Sequence, residues 1–133
     1  MSLLILNTLK RWLKQMTSEH YIQNQVLAAL SANDCDVYRA NVGQVPLRDN
    51  TGKFLRMFRT GLPNGFPDIF GFKHSNHKIF FIEMKDAKGR PREDQIRFHN
   101  HLMQTNTIHG IARSVDDALK IVDRELCGYG FRD

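Results

Sequence analysis

The sequence predicts a single α/β domain in which helices flank a mixed central sheet. Its 133 residues suffice for one ordinary domain. Hydrophobic residues make up 41% of the chain and charged residues 25%, which is typical of a protein with a core and excludes a disordered or fibrous chain. Segments with helical periodicity alternate with short apolar runs. The most apolar run, Ile79–Ile82, is apolar on both faces of its pleat, as in a strand covered on both sides.

Two helices are predicted at the start of the chain. The first, Leu3–Met16, is basic and amphipathic because its apolar residues recur at helical spacing, on a stripe formed by Ile5, Leu9, Trp12 and Met16. The second begins with Thr17 or Ser18 as N-cap and runs to about Ser31.

Strands dominate the middle of the chain, and helices and strands alternate towards its end. The segment Val42–Gly65 is rich in Gly, Pro and Asn, so we expect it to be irregular, with a short strand only at Phe54–Phe58. The remaining elements are predicted as strands at Asp36–Asn41, Pro67–Lys73, Lys78–Lys85 and Thr107–Arg113, a helix from about Arg92 to Gln104, and a last helix, Val115–Leu126, that Ser114 caps.

Charge is unevenly distributed. The net charge is +5, and between Tyr38 and Arg92 eleven basic residues stand against four acidic ones, a local +7. This predicts either a face that binds a polyanion or an ordinary solvated surface. No apolar run is long enough to span a bilayer, the N-terminus does not resemble a secretory signal, and the two distant cysteines, Cys35 and Cys127, are expected to be free thiols. We therefore expect a cytoplasmic protein without membrane contacts.

Three charged residues stand at the ends of apolar strands. Asp68 follows Pro67 at the start of one strand, and Glu83 and Lys85 end the next, on one face because they are two residues apart. An unpaired carboxylate there costs several kcal/mol, so it should be paired or bind a metal. Two carboxylates and the backbone carbonyl of Met84 form an all-oxygen site suited to Mg²⁺ or Mn²⁺. The alternative is a turn-capping Asp and a Glu–Lys surface pair.

Two residues on the predicted helices belong to the same hypothesis. Glu19 lies on the inward side of the second helix, although a first-turn acid is also favoured by the helix dipole. Gln95 lies four residues before His99, on the face of its helix that must pack, although it also fits a glutamine at the boundary of the core.

The order of these motifs resembles a known family. The segments are Glu19-His-Tyr-Ile-Gln-Asn-Gln-Val-Leu, Tyr38-Arg-Ala-Asn-Val-Gly, Gly65-Phe-Pro-Asp68, Glu83-Met-Lys85 and Gln95. Together they resemble the VRR-NUC (virus-type replication-repair nuclease) domain of the PD-(D/E)xK superfamily, over about residues 18–113. The resemblance implies a restriction-endonuclease-like αβββαβ core at 17–113, with an extra helix at 1–16 and a C-terminal helix and tail at 114–133. The departures are Phe66, inserted before Pro67, and the extra N-terminal helix.

The resemblance also implies roles for the candidate residues. Asp68 and Glu83 become metal ligands together with the Met84 carbonyl, Glu19 becomes a further possible ligand, Lys85 becomes the catalytic lysine, and Gln95 places phosphate or water. The expected cofactor is Mg²⁺ or Mn²⁺, with no small-molecule cofactor. The residues expected to bind DNA are Arg39, Arg59, Lys88, Arg90 and Arg92.

The chain resembles the small stand-alone members of the family, of the phage or bacterial type. This resemblance implies that the chain is a homodimer that cuts branched DNA such as four-way (Holliday) junctions, in the cytoplasm of a bacterial or phage-infected cell. The alternatives are a nuclease that prefers flaps or nicked duplex, and a DNA-binding module without catalysis. The stripe on the first helix has three interpretations: a dimer contact, a face that packs on its own domain, and a membrane-surface helix, for which the stripe is short.

Overall fold

The alternating segments fold into helices and strands within residues 2–16 and 18–131, which the computed structural model describes apart from the side chains of residues 15 and 16. The helices are α1 (Leu3–Met16), α2 (Glu19–Ala32), α3 (Glu93–Gln104) and α4 (Val115–Asp123). The strands are β1 (Cys35–Arg39), β2 (Gln44–Arg48), β3 (Phe54–Arg59), β4 (Ile69–Lys73), β5 (Ile79–Met84), β6 (Ile108–Ala112) and β7 (Cys127–Tyr129).

Five strands form a mixed sheet in the order β1-β4-β5-β6-β7. The strands β1, β4 and β5 pair antiparallel, whereas β5, β6 and β7 pair parallel. Parallel neighbours need a crossover connection, and α3 and α4 supply the two crossovers. The predicted α/β class with a mixed central sheet is therefore confirmed, and α2-β1-β4-β5-α3-β6 gives the αβββαβ order with a β2–β3 hairpin inserted after its first strand.

Helices cover both faces of the sheet, as the apolar character of β5 predicts. On one face, α2 and α4 bury Val26, Leu30, Ile121 and Val122 against Phe80, Ile82 and Met84 of β5, all fully buried. On the other face, Phe66 contacts three aromatic rings at centroid distances of 5.2 to 5.9 Å, those of Phe70, Phe81 and Phe98. The residue that departs from the family pattern is thus the centre of the aromatic cluster beneath α3.

The structure corrects two parts of the predicted element order. The segment 42–65 is not irregular, because β2 and β3 pair as an antiparallel hairpin in which Val45 faces Phe58. Pro46 in β2 conceals this strand, but an outer strand tolerates a proline. The last helix ends at Asp123 and not at Leu126, because Glu125 adopts a left-handed φ of 52° and turns the chain into β7, a strand not predicted. Other boundaries shift by one or two residues.

The ends of the first two helices follow from local interactions. Ser18 is the N-cap of α2, and its side chain accepts a hydrogen bond from the Tyr21 N–H at 3.2 Å; the alternative cap, Thr17, lies outside the described residues. Every described side chain of α1 is exposed, including Ile5, Leu9 and Trp12, while that of Met16 lies outside the described part. The described part of the chain therefore leaves Ile5, Leu9 and Trp12 of the apolar stripe uncovered.

Two further expectations can be compared with the structure. Cys35 and Cys127 are free thiols, the first buried and the second exposed. In the described ranges no helix has the length and apolarity that crossing a membrane requires.

Candidate active site

The β4–β5 pair brings the three candidate charges together. Ile69 pairs with Ile82, so the preceding residue, Asp68, lies beside Glu83. The Asp68 Oδ2 atom accepts a hydrogen bond from the Met84 N–H at 2.8 Å, and Lys85 Nζ is 3.9 Å from Glu83 Oε1. A carboxylate pair and an ammonium group therefore meet where β5 ends.

Glu83 and Lys85 are withdrawn from solvent, whereas Asp68 is partly exposed. Only 3% of Glu83 and 8% of Lys85 is exposed. Desolvation is the main cause that raises the pKa of Glu83 well above its ordinary value, followed by its hydrogen bond with Asp68 and the charge of Asp68, while Lys85 opposes the shift. Without a cation, the two neighbouring carboxyls favour retention of a proton on Glu83.

A divalent cation fits this arrangement because it would replace the retained proton and neutralise both carboxylates. The donors are oxygen atoms, which Mg²⁺ and Mn²⁺ prefer. Across residues 2–16 and 18–131, no three or more His, Cys, Asp or Glu side chains are grouped so as to hold a metal. The chain therefore offers the carboxylates of Asp68 and Glu83, and the Met84 carbonyl stays a predicted third ligand, with water completing the shell as is usual for Mg²⁺.

Gln95 fixes the position of Glu83. Its side-chain carbonyl accepts a hydrogen bond from the Arg92 N–H at 2.8 Å, in the capping box that starts α3. Its amide Nε2 donates to Glu83 Oε1 at 3.0 Å, and only 5% of the residue is exposed. Gln95 thus orients a carboxylate from the start of a helix, and its contact with phosphate or water stays a prediction.

Gly65 lets the loop before Asp68 approach this helix start. Its φ is +87°, and a Cβ atom at this position would lie 2.3 Å from the backbone oxygen of Asp94. Neither the conformation nor the space accommodates a side chain. The glycine of the Gly65-Phe-Pro-Asp68 segment therefore lets the loop before Asp68 pack directly against the start of the helix that carries Gln95.

Glu19 lies in the first turn of α2, exposed but within the electrostatic reach of the site. Desolvation raises its pKa first and the charge of Asp68 raises it further, while Lys85 lowers it. Its carboxylate belongs to no ligand cluster of the described side chains. Glu19 is therefore coupled to the site, and its role as a metal ligand stays a prediction.

The five predicted DNA-binding residues are all exposed, and they fall in three places. Arg39 ends β1 and donates a hydrogen bond to Asn24 of α2. Arg59 ends β3, in the hairpin. Lys88 and Arg90 belong to the loop after Lys85, and Arg92 caps α3. Arg92 also acts on the site, because its charge contributes to lowering the pKa of Glu83.

Arg113 is a residue near the site that the motifs in the sequence did not indicate. Its Nη1 donates to the backbone oxygen of Gly89 at 2.7 Å and also to that of Asp86, so it holds the loop that carries Lys88 and Arg90. The loop and this arginine line a groove of about 640 Å³. Arg113 follows β6 directly, so its place at the end of the strand beside β5 could have identified it.

The histidines do not add metal ligands to the site. His99 Nδ1 lies 2.7 Å from His109 Nε2, and His109 Nδ1 lies 2.6 Å from the Thr107 backbone oxygen. His109 is 2% exposed, and burial lowers its pKa. The two rings hydrogen-bond to each other behind Glu83 and Gln95. Together with Glu83 and Gln95 they line a small cavity that has room for about one water molecule.

Glu83→Gln is expected to stabilise the metal-free protein as the pH rises. Because the pKa of Glu83 is raised in the folded protein, the protonated carboxyl contributes stability that is complete below the unfolded pKa of 4.5. This stability is lost as the pH rises towards the folded pKa. Gln keeps the hydrogen bond from Gln95 and never ionises. In EDTA, the Tm of the variant minus that of wild type should grow between about pH 5 and pH 8, and Mg²⁺ should stabilise only the wild type. A pH-independent difference would contradict the assigned burial of the carboxylate.

Comparisons with known proteins give the fold. No protein-family model and no curated protein matches the chain. A solved structure described as a VRR_NUC domain superposes with a TM-score of 0.55, over 81% of this chain and 97% of that one, at 18% sequence identity. This likeness concerns the fold, and it confirms the restriction-endonuclease-like architecture expected from the motifs. The chain has the fold of a VRR-NUC domain.

Proposed function

We propose that the chain is a divalent-metal-dependent endodeoxyribonuclease that hydrolyses phosphodiester bonds. The observation that carries the proposal is the pairing of Asp68 with the buried Glu83, with Lys85 Nζ 3.9 Å from Glu83 Oε1. A structural ion pair needs only one carboxylate for one lysine, and the second carboxylate leaves a negative excess that suits a cation. The VRR_NUC fold supports the same chemistry.

Each residue has a distinct task in this mechanism. Asp68 and Glu83 would hold the cation, and Gln95 keeps Glu83 in position through its 3.0 Å hydrogen bond. Held there, a divalent cation would lower the pKa of a water and neutralise charge on the phosphate. Lys85 would orient the attacking water or neutralise the charge that develops on the phosphate oxygens. Attack of this water on phosphorus would form one P–O bond and break the P–O bond to the leaving oxygen, while the proton lost by the water passes to solvent and the leaving oxygen takes one up from solvent.

The charge around the site favours DNA as the substrate. Lys88, Arg90 and Arg92 are exposed along the loop that follows Lys85, and Arg113 holds this loop in place. Cations beside the reacting phosphate would bind the neighbouring phosphates of the strand. Branched DNA, including four-way junctions, is the proposed substrate, and flaps or nicked duplex are the alternative.

A non-catalytic DNA-binding module is the competing function. Such a module needs the basic loop but neither the carboxylate of Asp68 beside the buried Glu83 nor a lysine that is itself 8% exposed. Placing two carboxylates side by side costs free energy, and binding of a cation would offset this cost. The complete Asp68, Glu83 and Lys85 set therefore favours the nuclease.

The proposed assembly is a homodimer. Resolving a four-way junction needs two matched cuts, and a two-fold dimer presents the same site twice. The candidate contact is α1, where Ile5, Leu9 and Trp12 are 53%, 41% and 54% exposed. Burying these side chains between two copies would remove their apolar surface from water.

Asp68→Asn and Glu83→Gln are each expected to abolish cleavage while leaving DNA binding intact, because the cation loses a ligand and the shape is kept. Lys85→Ala should lower the rate by about 10² or more. The measurement is cleavage of labelled four-way, flap, nicked and linear duplex DNA with Mg²⁺. Asp36→Asn is the matched control, because that exposed acid pairs with His74 near the opposite end of β4. Wild-type cleavage by either carboxylate variant would refute the metal assignment.

Light scattering should give twice the monomer mass of 15.4 kDa. Trp12→Glu should lower this mass because a charge would enter the apolar contact. Lys10→Glu is the matched control, since it introduces a carboxylate on the same helix off the stripe. A monomer that still makes paired junction cuts would refute the dimer, and a dimer that tolerates Trp12→Glu would exclude this contact.

A further inference from the structure

The β2–β3 hairpin, called here the hairpin arm (residues 44–59), is tethered at the candidate active site. The chain leaves the sheet after Arg39 and returns to it at Asp68, and the Ala40 N–H donates to the Asp68 backbone oxygen at 2.8 Å. Both connections of the arm therefore meet at a proposed metal ligand. Six residues of β3 extend for about 20 Å at the usual rise of a strand.

The arm carries apolar side chains that no other described part of the chain covers. Its strands pair with each other and, among the described residues, join no other strand. All six residues of β3 are exposed, including Phe54, Leu55, Met57 and Phe58 at 43% to 59%. A lone two-stranded ribbon has no core of its own, so adjacent exposed apolar groups of this kind mark a surface that binds something.

The charge of the arm identifies the class of partner. Its cations are Arg48, Lys53, Arg56 and Arg59, against a single acid, Asp49. The Asp49 carboxylate is engaged within the turn, where it accepts hydrogen bonds from the backbone of Thr51 and Lys53 at 2.8 and 3.0 Å. A two-fold contact between arms would bring like charges together, whereas a polyanion complements them. Nucleic acid is thus favoured over a second copy.

The order of side chains along β3 indicates which kind of nucleic acid the arm would bind. Along β3, apolar residues stand beside arginines, as in Phe54-Leu-Arg-Met-Phe-Arg59. Aromatic rings stack on bases that are free of pairing, while neighbouring cations bind the phosphates. Paired duplex would hide its base faces from these rings and leave only the charges to bind.

We propose that the hairpin arm binds unpaired bases of DNA beside the scissile phosphate, with Phe54 and Phe58 as stacking residues and Arg48 and Arg56 as phosphate contacts. This inference rests on the proposed nuclease function and supplies its selectivity for branched substrates. Four-way junctions and flaps expose unpaired or easily unstacked bases at the branch point, and an arm rooted at Asp68 brings the cut close to that point.

The test measures binding without cleavage. Fluorescence anisotropy in EDTA, with Glu83→Gln as the parent, compares a labelled oligothymidine of about 20 nucleotides with a paired duplex of equal length. Phe54→Ser/Phe58→Ser should weaken binding of the single strand about tenfold or more and that of the duplex less than twofold. Arg48→Gln/Arg56→Gln should weaken both and lower the duplex salt slope by about 2. Ile79→Ser is the control, because Ile79 is an exposed apolar residue at the far end of β5.

Three results would overturn the proposal. The aromatic variant could bind both DNAs as the parent does, or lose affinity for both equally. It could also become a monomer by light scattering with unchanged DNA binding, which would make the arm a protein interface. The thermal midpoint checks folding, and Phe54→Leu/Phe58→Leu, which keeps apolar surface without rings, should also lose single-strand selectivity. Binding is measured without metal, so it does not depend on cleavage. If the aromatic variants lose their preference for single strand but the wild type cuts no DNA, only the proposed function is refuted. Unchanged selectivity in an active nuclease would refute only the arm.

Discussion

The burial of a carboxylate at the end of the central strand is the constraint on which the rest of the site depends. Glu83 is 3% exposed, and an isolated ionised group there would be prohibitively costly. The fold compensates by surrounding it with the Gln95 amide at 3.0 Å and the Lys85 ammonium at 3.9 Å. The neighbouring Asp68 works in the opposite direction and favours a proton on Glu83, and a divalent cation would take the place of that proton.

The layered fold packs around this arrangement. Helices on both faces of the sheet exclude water from β5, while the Phe66 cluster packs the start of β4 against α3. Gly65 allows the loop before Asp68 to touch α3, so the two proposed ligands and Gln95 lie in one packed region. The hairpin arm and the basic loop after Lys85 attach at this same end of the sheet. The proposed cleavage site and the proposed DNA contacts thus lie next to each other.

The sequence predicted the parts of the fold and site that hydrophobic patterning controls. The apolar run of β5 identified the central strand. Charged residues at the start of one apolar strand and at the end of the next indicated Asp68, Glu83 and Lys85 as candidate site residues. Patterning could not find β2, where Pro46 and the surrounding Gly and Asn residues indicate a loop, nor β7, which has three residues. Patterning also missed how Arg113 and Gln95 act, because both bind backbone groups, and hydrophobic periodicity does not show which backbone groups a polar side chain meets.

The central claim is that Asp68 and Glu83 hold a divalent cation, and a metal-binding map tests it most directly. Crystals of the wild type grown with Mn²⁺ and measured for anomalous scattering should show a peak within about 2.5 Å of the carboxylate oxygens of Asp68 and Glu83 and of the Met84 carbonyl oxygen. The same map for Glu83→Gln should lose this peak or weaken it strongly. A Mn²⁺ peak elsewhere on the chain, or none at this site at saturating concentration, would contradict the account.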